Sequence, residues 1–416
     1  MKVLVVGGGG REHTLVWKLA QSERVSKVYC APGNAGTADV GTNIPISDND
    51  IPALLTFARD NNIGLTVVGP EVPLVDGIVD EFEVAGLRIF GPNARAAILE
   101  GSKVFTKELL YKYGIPTAEY HRFSDASEAL EFLASNTIYP IVVKADGLAA
   151  GKGVLISLST EEAQQGVKNM MEDKVFGNAG DEIIIEEFMT GPELSMLCFV
   201  DSHTAVPMVS AKDYKRIGEG DTGLNTGGMG AISPNPLYDQ ELENFCMENI
   251  IEPTLDGMRQ EGRPFKGILY CGIMLTESGP KVLEYNVRFG DPETQVILPR
   301  LETDLLDIFE AVVEDKLAEI DVRWDNAAAA TVVLASKGYP EAYPKGLPIT
   351  GLDEVKGSVI FHAGTSEKES EIVTSGGRVL NVTTRAFSVA DALSQSYQNA
   401  ELIQFDGKTI RKDIGS

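Results

Sequence analysis

The chain has 416 residues, which is too many for one ordinary hydrophobic core, so we expect two to four domains. Acidic residues outnumber basic ones 61 to 36, and the formal charge of -25 argues against a general nucleic-acid binder or a protein of acidic membrane surfaces. No apolar run approaches the length of a membrane span, and no secretory signal is recognisable at the N-terminus.

The first hundred residues alternate between strand and helix patterns. Residues 2–6 are apolar and β-branched, the glycines at 7–10 interrupt them, and apolar residues then recur at helical spacing from Glu12. The patterns that follow are short buried strands at 27–34, 65–71 and 87–93, with helices at 50–61 and 76–85. This alternation predicts a parallel sheet whose ligand-binding loops lie at the carboxyl ends of its strands.

The glycine run after the first strand is a candidate phosphate site. It places backbone N–H groups at a helix start, and Arg11 follows it directly, so Gly9 and Arg11 are candidates for binding an anion. The dinucleotide pattern G-x-G-x-x-G fails because Glu12 or His13 occupies the last glycine position, so we expect no nicotinamide cofactor. A tight turn without a ligand would explain the glycines about as well.

A loop rich in glycine and alanine occupies positions 147–153, between two strand patterns. Lys144 ends the first of these strands, so its ammonium group must emerge at a defined place. Small side chains let backbone amides approach an oxyanion, and Lys152 adds positive charge. The Walker A pattern is absent. A flexible hairpin does not need small residues over seven positions, so the pattern favours a phosphate-covering loop.

A strand at 182–187 ends in Glu186 and Glu187, followed by Phe188, and Glu193 comes a few residues later. Such a strand end can offer backbone N–H and C=O groups to an adenine edge, and a carboxylate beyond it can accept from ribose hydroxyls. Taken alone, a solvated turn with ordinary acids is the simpler interpretation.

Lysine and arginine cluster just before the glycine-rich stretch 217–230. Lys212, Asp213, Lys215 and Arg216 stand together there, which fits a catalytic lid or a substrate loop. An undistinguished mobile loop is the alternative, although clustered cations beside so many glycines are less usual in one.

The stretch EYNVRFGDPETQ, at 284–295, follows an apolar strand pattern. Strand alternation places Glu284, Asn286 and Arg288 on one face. Oxygen ligands from the first two suit Mg²⁺, and the planar guanidinium of Arg288 suits a transferring phosphoryl group. The alternative is a salt-bridged strand end in which Arg288 pairs with Asp291 or Glu293, which leaves the Asn unexplained.

Four motifs together resemble the ATP-grasp ligases, namely KADGLAAGKGV, EEFMTGPELS, NTGGMGA and RFGDPETQ. Within that family the chain is similar to the branch that joins glycine to 5-phosphoribosylamine. The motifs GGGGREH and GNAGT fit the first domain of that branch, and KGYP, YPKG and FHAGT fit its last domain. The likeness extends over nearly the whole chain.

The resemblance implies an α/β and α+β multidomain fold. Its parts would be an N-terminal parallel-sheet domain over 1–102, an ATP-grasp domain over 103–324 and a small β-rich C-terminal domain over 325–416. A mobile lid would occupy about 120–190 of the ATP-grasp domain. After Trp324 the sequence changes to short strand patterns separated by Gly and Pro, which agrees with the last boundary.

The resemblance also implies residue roles. Arg288, Lys144 and Asp291 would be catalytic, and Glu284 and Asn286 would hold the metal. The nucleotide-binding residues would be Lys103, Lys144, Gly151, Lys152, Gly153, Glu186, Glu187, Phe188 and Glu193. The residues at the acceptor substrates would be Gly9, Arg11, Asp213, Lys215, Arg288 and Asp291.

The implied reaction is ATP-dependent ligation of glycine to 5-phosphoribosylamine through a glycyl phosphate, with Mg²⁺ or Mn²⁺ as cofactor. Another carboxylate–amine ligase of the same fold is a second reading, and a nucleotide-binding module without turnover is a third. The third is disfavoured because Glu284, Asn286 and Arg288 are all present. We expect small-molecule partners only, a monomer, and a cytoplasmic protein whose four scattered cysteines are reduced.

Overall fold

The structure is a computed structural model that describes residues 1–148 and 153–416. Gly151 and Lys152 of the predicted phosphate loop therefore lie outside the described residues. A search of the described residues found no helix with the length and apolar character needed to cross a bilayer.

The N-terminal part folds around a parallel five-stranded sheet, as the alternation of strands and helices predicts. Its strands are β1 Lys2–Gly7, β2 Lys27–Pro32, β3 Thr42–Asn43, β4 Leu65–Val68 and β5 Ile89–Phe90, in the order β3-β2-β1-β4-β5. Leu4 and Val6 of β1 pack into one core cluster, while Val3 and Val5 pack into another. Both faces of the sheet are thus buried at β1, which explains why its residues 3–6 are all apolar.

The helices of this part begin where capping groups are available. The first starts at Gly10, two residues before the sequence pattern suggested, because the Glu12 carboxylate accepts from the Gly9 N–H at 2.6 Å. The seventh follows the sixth directly, because Ser102 Oγ accepts from the Phe105 N–H at 3.0 Å. The helices are α1 Gly10–Leu19, α2 Thr37–Val40, α3 Ile51–Asp60, α4 Glu71–Val75, α5 Ile78–Val84, α6 Ala94–Gly101 and α7 Lys103–Lys112.

The next segment forms a small unit with its own core cluster. Its antiparallel sheet has the order β6-β9-β7-β8, and two helices pack beside it. The elements are β6 Tyr120–Phe123, α8 Ala126–Ser135, β7 Ile141–Ala145, β8 Val154–Ser157, α9 Thr160–Val167, a π-helical turn Lys168–Glu172, a 3₁₀ turn Gly177–Gly180 and β9 Ile183–Glu187. This unit coincides with the lid expected at about 120–190, and its mobility stays a prediction.

The central part contains a second antiparallel sheet, in the order β11-β10-β16-β17. Its last strand ends at Asn286 and delivers the charged stretch that follows. The elements are β10 Glu193–Val200, β11 Ala205–Pro207, β12 Lys212–Asp213, β13 Arg216–Gly218, β14 Thr222–Asn225, β15 Gly230–Ser233, α10 Gln240–Cys246, a π-helical turn Met247–Ile251, α11 Glu252–Gln260, β16 Gly267–Thr276, β17 Gly279–Asn286, α12 Thr294–Ile297, a 3₁₀ turn Leu298–Arg300, α13 Leu305–Val313 and a 3₁₀ turn Leu317–Glu319.

The C-terminal part is β-rich, as predicted, but its main sheet also takes strands from the central part. The elements are β18 Ala328–Ala335, a 3₁₀ turn Leu352–Glu354, β19 Val359–His362, β20 Thr365–Lys368, β21 Glu371–Thr374, β22 Arg378–Ala386 and α14 Val389–Leu402. The sheet has the order β12-β15-β18-β22-β19 and is antiparallel. The strand that carries Asp213 is therefore the edge of a sheet built mostly from residues beyond 325. That sheet crosses the boundary proposed at 325, which stays a prediction.

Candidate active site

The residues at and after the end of β17 meet side chains from the N-terminal and C-terminal parts, and we call this region the cleft. Glu284 is exposed and Asn286 and Arg288 are half-buried, while Tyr285 and Val287 between them are buried. The three polar side chains thus share one face, as strand alternation predicts. The buried alternate residues anchor the strand in the core and fix where the polar face points.

Arg288 is held by two carboxylates from the N-terminal part. Its Nε lies 3.3 Å from Glu71 Oε2, and its second terminal nitrogen lies 3.2 Å from Glu100 Oε1. That nitrogen also donates to Asn286 Oδ1 at 2.9 Å. The partners of Arg288 are therefore Glu71 and Glu100 rather than Asp291 or Glu293, which a simple salt-bridged strand end would use. Both partners come from helices distant in sequence.

Glu100 is the more buried of the two carboxylates. Burial raises the pKa of Glu100 to about 7, although the Arg288 charge opposes the shift. The second oxygen of Glu100 accepts from the Val287 N–H at 2.7 Å. Glu100 therefore fixes both the backbone at Val287 and the guanidinium of Arg288. Sequence analysis did not identify Glu100, because the residues around position 100 form no recognisable motif.

Glu284 is surrounded by positive charge. Desolvation by the surrounding protein opposes a charge on this solvent-accessible carboxylate, but Lys215, Lys144, Lys103 and also Arg288 outweigh it and hold the pKa of Glu284 below its ordinary value. An ionised oxygen donor encircled by cations is the arrangement that a phosphate chain with its metal ion requires. The structure thus brings the predicted metal ligand and three predicted phosphate contacts into one cleft.

Lys144 lies beside an acidic residue that it shares with a second lysine. Its Nζ is 2.7 Å from Glu186 Oε2, and Lys107 Nζ is 3.1 Å from Glu186 Oε1. Sequence reasoning missed Lys107, which looks like a surface lysine in a helix. The signal available was its spacing, because it lies four residues after Lys103 and so on the same face of α7.

The start of α7 supports the predicted phosphate loop. Asp146 Oδ1 accepts from the Val104 N–H at 3.0 Å, and Lys103 Nζ donates to the Gly147 carbonyl at 2.8 Å. At the other end of the loop, the Gly153 carbonyl accepts from the Ala145 N–H at 2.9 Å. The base of the loop is therefore tied to a helix start, which favours anions.

Two predicted nucleotide contacts have their carboxylates engaged within the protein. Glu187 pairs with Lys281 at 3.0 Å and accepts from the Glu119 N–H at 3.1 Å. Glu193 pairs with Lys215 at 3.1 Å, near the mouth of the cleft. Both acids are partly exposed, so each remains accessible to a ligand beside its lysine.

A small apolar cluster lies next to half-buried Phe188, apart from the main cores. Ala118, Met189 and Met274 are its buried members, and Leu283 packs against them. Met274 and Leu283 belong to the central sheet, while Ala118 precedes β6 and Met189 follows β9, so the cluster lies at the junction of the two antiparallel sheets. A flat apolar ring fits such a sandwich.

A buried polar cluster lies on the other side of the cleft. Ser195 Oγ is 2.7 Å from the Tyr270 hydroxyl and donates to Glu293 Oε1 at 3.3 Å. Burial and the nearby Asp213 raise the pKa of Glu293 to about 7, and burial also raises the pKa of Asp213, against the effect of Lys215. The sequence offered Glu293 only as a salt-bridge partner, so its place in this cluster was missed.

Asp291 joins all three parts of the chain. Its Oδ1 accepts from Gln295 Nε2 at 2.8 Å and lies 3.3 Å from the Arg378 guanidinium, while its Oδ2 accepts from the Arg11 N–H at 3.2 Å. Burial opposes its charge, but Arg378 and Arg11 hold the pKa of Asp291 below its ordinary value. Arg378 was missed because its surroundings in the sequence look like an ordinary strand start.

The glycine run lies against Asp291. A Cβ on Gly9 would come within 2.8 Å of Glu12 Oε2 and 3.5 Å of Asp291 Oδ2, so a larger residue would displace the Glu12 carboxylate. The guanidinium of Arg11 turns inward to Glu12 at 2.5 Å and to the Phe289 carbonyl at 3.2 Å. Gly9 and Arg11 thus shape this corner of the cleft, and direct contact of either with a substrate stays a prediction.

Family models match the chain in three consecutive blocks. Residues 1–100 match the N domain of phosphoribosylglycinamide synthetase, residues 101–294 match its ATP-grasp (A) domain, and residues 329–416 match its C domain.

Curated relatives match along the whole chain. A phosphoribosylamine–glycine ligase of Caldanaerobacter subterraneus subsp. tengcongensis is 51% identical over 416 residues and is covered to 100%, as is this chain. The ligase of the same name from Haemophilus influenzae is 50% identical, with 100% of this chain and 98% of the relative covered. The trifunctional purine biosynthetic protein adenosine-3 of Gallus gallus is 52% identical, and the chain spans 42% of its length.

Solved structures agree. The crystal structure of phosphoribosylamine–glycine ligase from Thermotoga maritima has a TM-score of 0.84 at 37% identity and covers 100% of both chains. The biotin carboxylase domain of Hydrogenobacter thermophilus 2-oxoglutarate carboxylase, solved with MgADP, shares the fold with a TM-score of 0.75 at 16% identity, over 98% of this chain and 91% of that one. The chain is therefore a member of the phosphoribosylglycinamide synthetase family, with the three-domain architecture of that family.

Proposed function

We propose that this chain joins glycine to 5-phosphoribosylamine at the expense of ATP, giving glycinamide ribonucleotide, ADP and phosphate in purine biosynthesis. One observation carries the proposal: the charges of Lys103, Lys144, Lys215 and Arg288 all act on Glu284 and favour its ionised form. The printed names of the full-length relatives supply the substrates.

The chemistry requires activation of the carboxylate. An amine does not displace oxide from glycine, so ATP first phosphorylates the glycine carboxylate, and the amine then displaces phosphate from the glycyl phosphate. Charge on the transferring phosphoryl group is met by Arg288 and Lys144, which are held by different carboxylates, Glu71 and Glu186. The lid unit excludes water, which would otherwise hydrolyse the intermediate.

The nucleotide lies, in this proposal, between the two antiparallel sheets. The adenine ring packs on the apolar cluster, and its edge meets the backbone at Glu186, Glu187 and Phe188. The ribose reaches Glu193. Lys103 and Lys144 contact the phosphates. Gly151, Lys152 and Gly153 complete the list of nucleotide contacts, and the first two of these lie outside the described residues.

Glu284 and Asn286 fit a hard divalent cation, either Mg²⁺ or Mn²⁺. Glu284 is held ionised by the neighbouring cations, and the Asn286 amide oxygen, which accepts from Arg288 at 2.9 Å, keeps a second lone pair for a metal ion. Two protein ligands leave room for phosphate oxygens and water. Such an ion neutralises charge on the ATP phosphates when bound.

The acceptor substrates lie, in this proposal, next to the nucleotide, because Lys215 pairs with Glu193 at 3.1 Å. Asp213, Lys215 and Asp291 border the acceptor end of the cleft, and Gly9 and Arg11 close its corner. We further propose that the chain works as a monomer in the cytoplasm. The four cysteines are buried and free, as expected of a reducing compartment.

An omission assay tests the proposal. ADP release is measured with ATP and Mg²⁺ while glycine or 5-phosphoribosylamine is left out in turn, and then with other small amino acids or amines in their place. Release that requires both substrates supports the proposal. Release supported equally well by another acid or amine would make the chain a different ligase of this fold, and no release under any condition would leave a binding module.

A further inference from the structure

Arg378, the first residue of β22, reaches out of the C-terminal sheet into the cleft. One terminal nitrogen of its guanidinium donates to the Gly227 carbonyl at 2.6 Å and to the Asp291 carbonyl at 2.7 Å. The other lies 3.3 Å from the Asp291 carboxylate. A single side chain thus connects two segments that are more than sixty residues apart in sequence.

The peptide group of Gly227 is held on both sides by the C-terminal part. The Gly227 N–H donates to the Tyr339 hydroxyl at 2.9 Å, and its carbonyl accepts from Arg378. A Cβ at position 227 would lie 2.9 Å from the guanidinium carbon, so glycine permits this close approach. The turn around Gly227 is therefore fixed by two side chains from outside its own segment.

The turn at 226–228 also fixes the backbone of Lys215. The Thr226 N–H and Thr226 Oγ1 both donate to the Lys215 carbonyl at 2.8 Å, and the Gly228 N–H donates back to Thr226 Oγ1 at 2.9 Å. Lys215 lies beside Asp213 and contributes to the positive charge around Glu284. A chain of contacts therefore runs from Arg378 through the turn to the backbone carbonyl of Lys215, whose side chain belongs to the acceptor end of the cleft.

We propose that Arg378 is a positioning residue for the acceptor substrates: it sets the Asp291 carboxylate and the turn at 226–228 at a fixed separation, so that the C-terminal part completes the acceptor pocket. This inference rests on the proposed function, because it takes Asp291 and Lys215 as the acceptor end. A planar fork with several fixed donors suits this task, and a lysine ammonium cannot span all the acceptors at once.

The test compares Arg378→Ala, Arg378→Lys and Tyr339→Phe with Arg385→Ala. Arg385 is a matched control, because it belongs to the same strand and also joins the C-terminal part to the central part, through Asp325 and the Pro299 carbonyl. It has no role in the cleft. Steady-state rates of ADP release are measured with each of the three substrates varied separately.

For Arg378→Ala we expect KM for glycine and 5-phosphoribosylamine to rise between about tenfold and a hundredfold, with KM for ATP within about twofold, because a small misplacement of binding groups costs that much. Arg378→Lys should recover part of the loss, since it keeps the charge beside Asp291. Tyr339→Phe should move the same constants by a smaller factor. Arg385→Ala should leave all three constants unchanged.

The inference is overturned if Arg378→Ala changes the ATP constant as much as the acceptor constants, if it changes none, or if Arg385→Ala gives the same pattern. Thermal unfolding of the variants separates misfolding from mispositioning, and Arg378→Lys and Tyr339→Phe keep the test informative where the alanine variant fails to fold. Failure of the proposed function is distinct, because the unmodified chain would then show no release dependent on both acceptors.

Discussion

The ammonium group of Lys107 lies 3.1 Å from a carboxylate oxygen of Glu186, and both side chains are almost completely buried. Lys107 also donates to Thr117 Oγ1 at 2.7 Å, and Lys144 occupies the other oxygen of Glu186. Burial, together with the Lys144 charge, lowers the pKa of Lys107 to about 8 against the attraction of Glu186. Glu186 is thus fixed between two lysines at the predicted nucleotide site.

Replacement of Lys107 should therefore affect both stability and nucleotide binding. Lys107→Met leaves half of the buried Glu186 carboxylate without a cation, so we expect the free energy of unfolding to fall by about 3 kcal/mol. KM for ATP should rise, because Lys144 is drawn toward Glu186. Denaturant unfolding and ADP release measure the two effects.

Lys112→Met is the control for that variant, because Lys112 lies on the same helix with its ammonium group exposed. It should leave KM for ATP unchanged. An unaltered ATP constant in Lys107→Met would mean that Lys107 supports the fold without orienting the nucleotide site.

Removal of the Glu284 charge should weaken the metal site. Glu284→Gln keeps the shape of the side chain, and we expect the Mg²⁺ concentration for half-maximal rate to rise by roughly tenfold to a hundredfold. Rates of ADP release at saturating ATP, measured against Mg²⁺ concentration, give the shift. Glu277→Gln, in the exposed turn before β17, serves as control. An equal shift in both variants, or none in Glu284→Gln, would remove Glu284 from the metal site.

The sequence predicted the parts of the fold whose signal is local. Residues 3–6 are apolar throughout because the two faces of β1 pack into different cores, and the alternation at 284–288 survives because only one face of that strand end is buried. The glycine and alanine residues at 147–153 favour a phosphate-covering loop, which stays a prediction because 149–152 lie outside the described residues.

The partners of the site residues could not be predicted in this way. Arg288 is held by Glu71 and Glu100, whereas sequence proximity offered Asp291 and Glu293. The edge strand that carries Asp213 has only two residues, too few to show a period, and it joins a sheet whose other strands come mostly from beyond 325. Pairings of this kind depend on tertiary packing, which one sequence does not display.

Two buried histidines should make stability depend on pH. His13 Nδ1 accepts from the His362 N–H at 2.8 Å, between the N-terminal and C-terminal parts. Burial, with a further contribution from His362, lowers the pKa of His13 to about 3, and burial lowers the pKa of His362 to about 4. The pKa of a histidine in the unfolded chain is about 6.5. Both rings are neutral in the folded state. The free energy of unfolding is therefore highest above about pH 6.5 and decreases as pH falls toward the pKa values of the folded state.

His13→Gln should reduce that loss, because the amide does not take up a proton on unfolding. Between about pH 6 and pH 4, the slope of unfolding free energy against pH should decrease by up to about 1.4 kcal/mol per pH unit. Denaturant unfolding at several pH values measures it. His203→Gln, at an exposed position, should keep the original slope. The same slope in His13→Gln as in the unmodified chain would contradict the assignment.

Arg288→Ala should reduce turnover far more than ATP affinity. In the proposed mechanism the guanidinium meets charge that develops on the transferring phosphoryl group, so we expect kcat to fall by roughly a hundredfold or more. KM for ATP should change little, because Lys103 and Lys144 remain. Arg288→Lys should not restore the rate, since one ammonium cannot satisfy Glu71, Glu100 and a phosphoryl group together. Arg323→Ala, at an exposed arginine, controls for loss of charge. A normal rate in Arg288→Ala, with both substrates required, would keep the ligase and remove Arg288 from phosphoryl transfer.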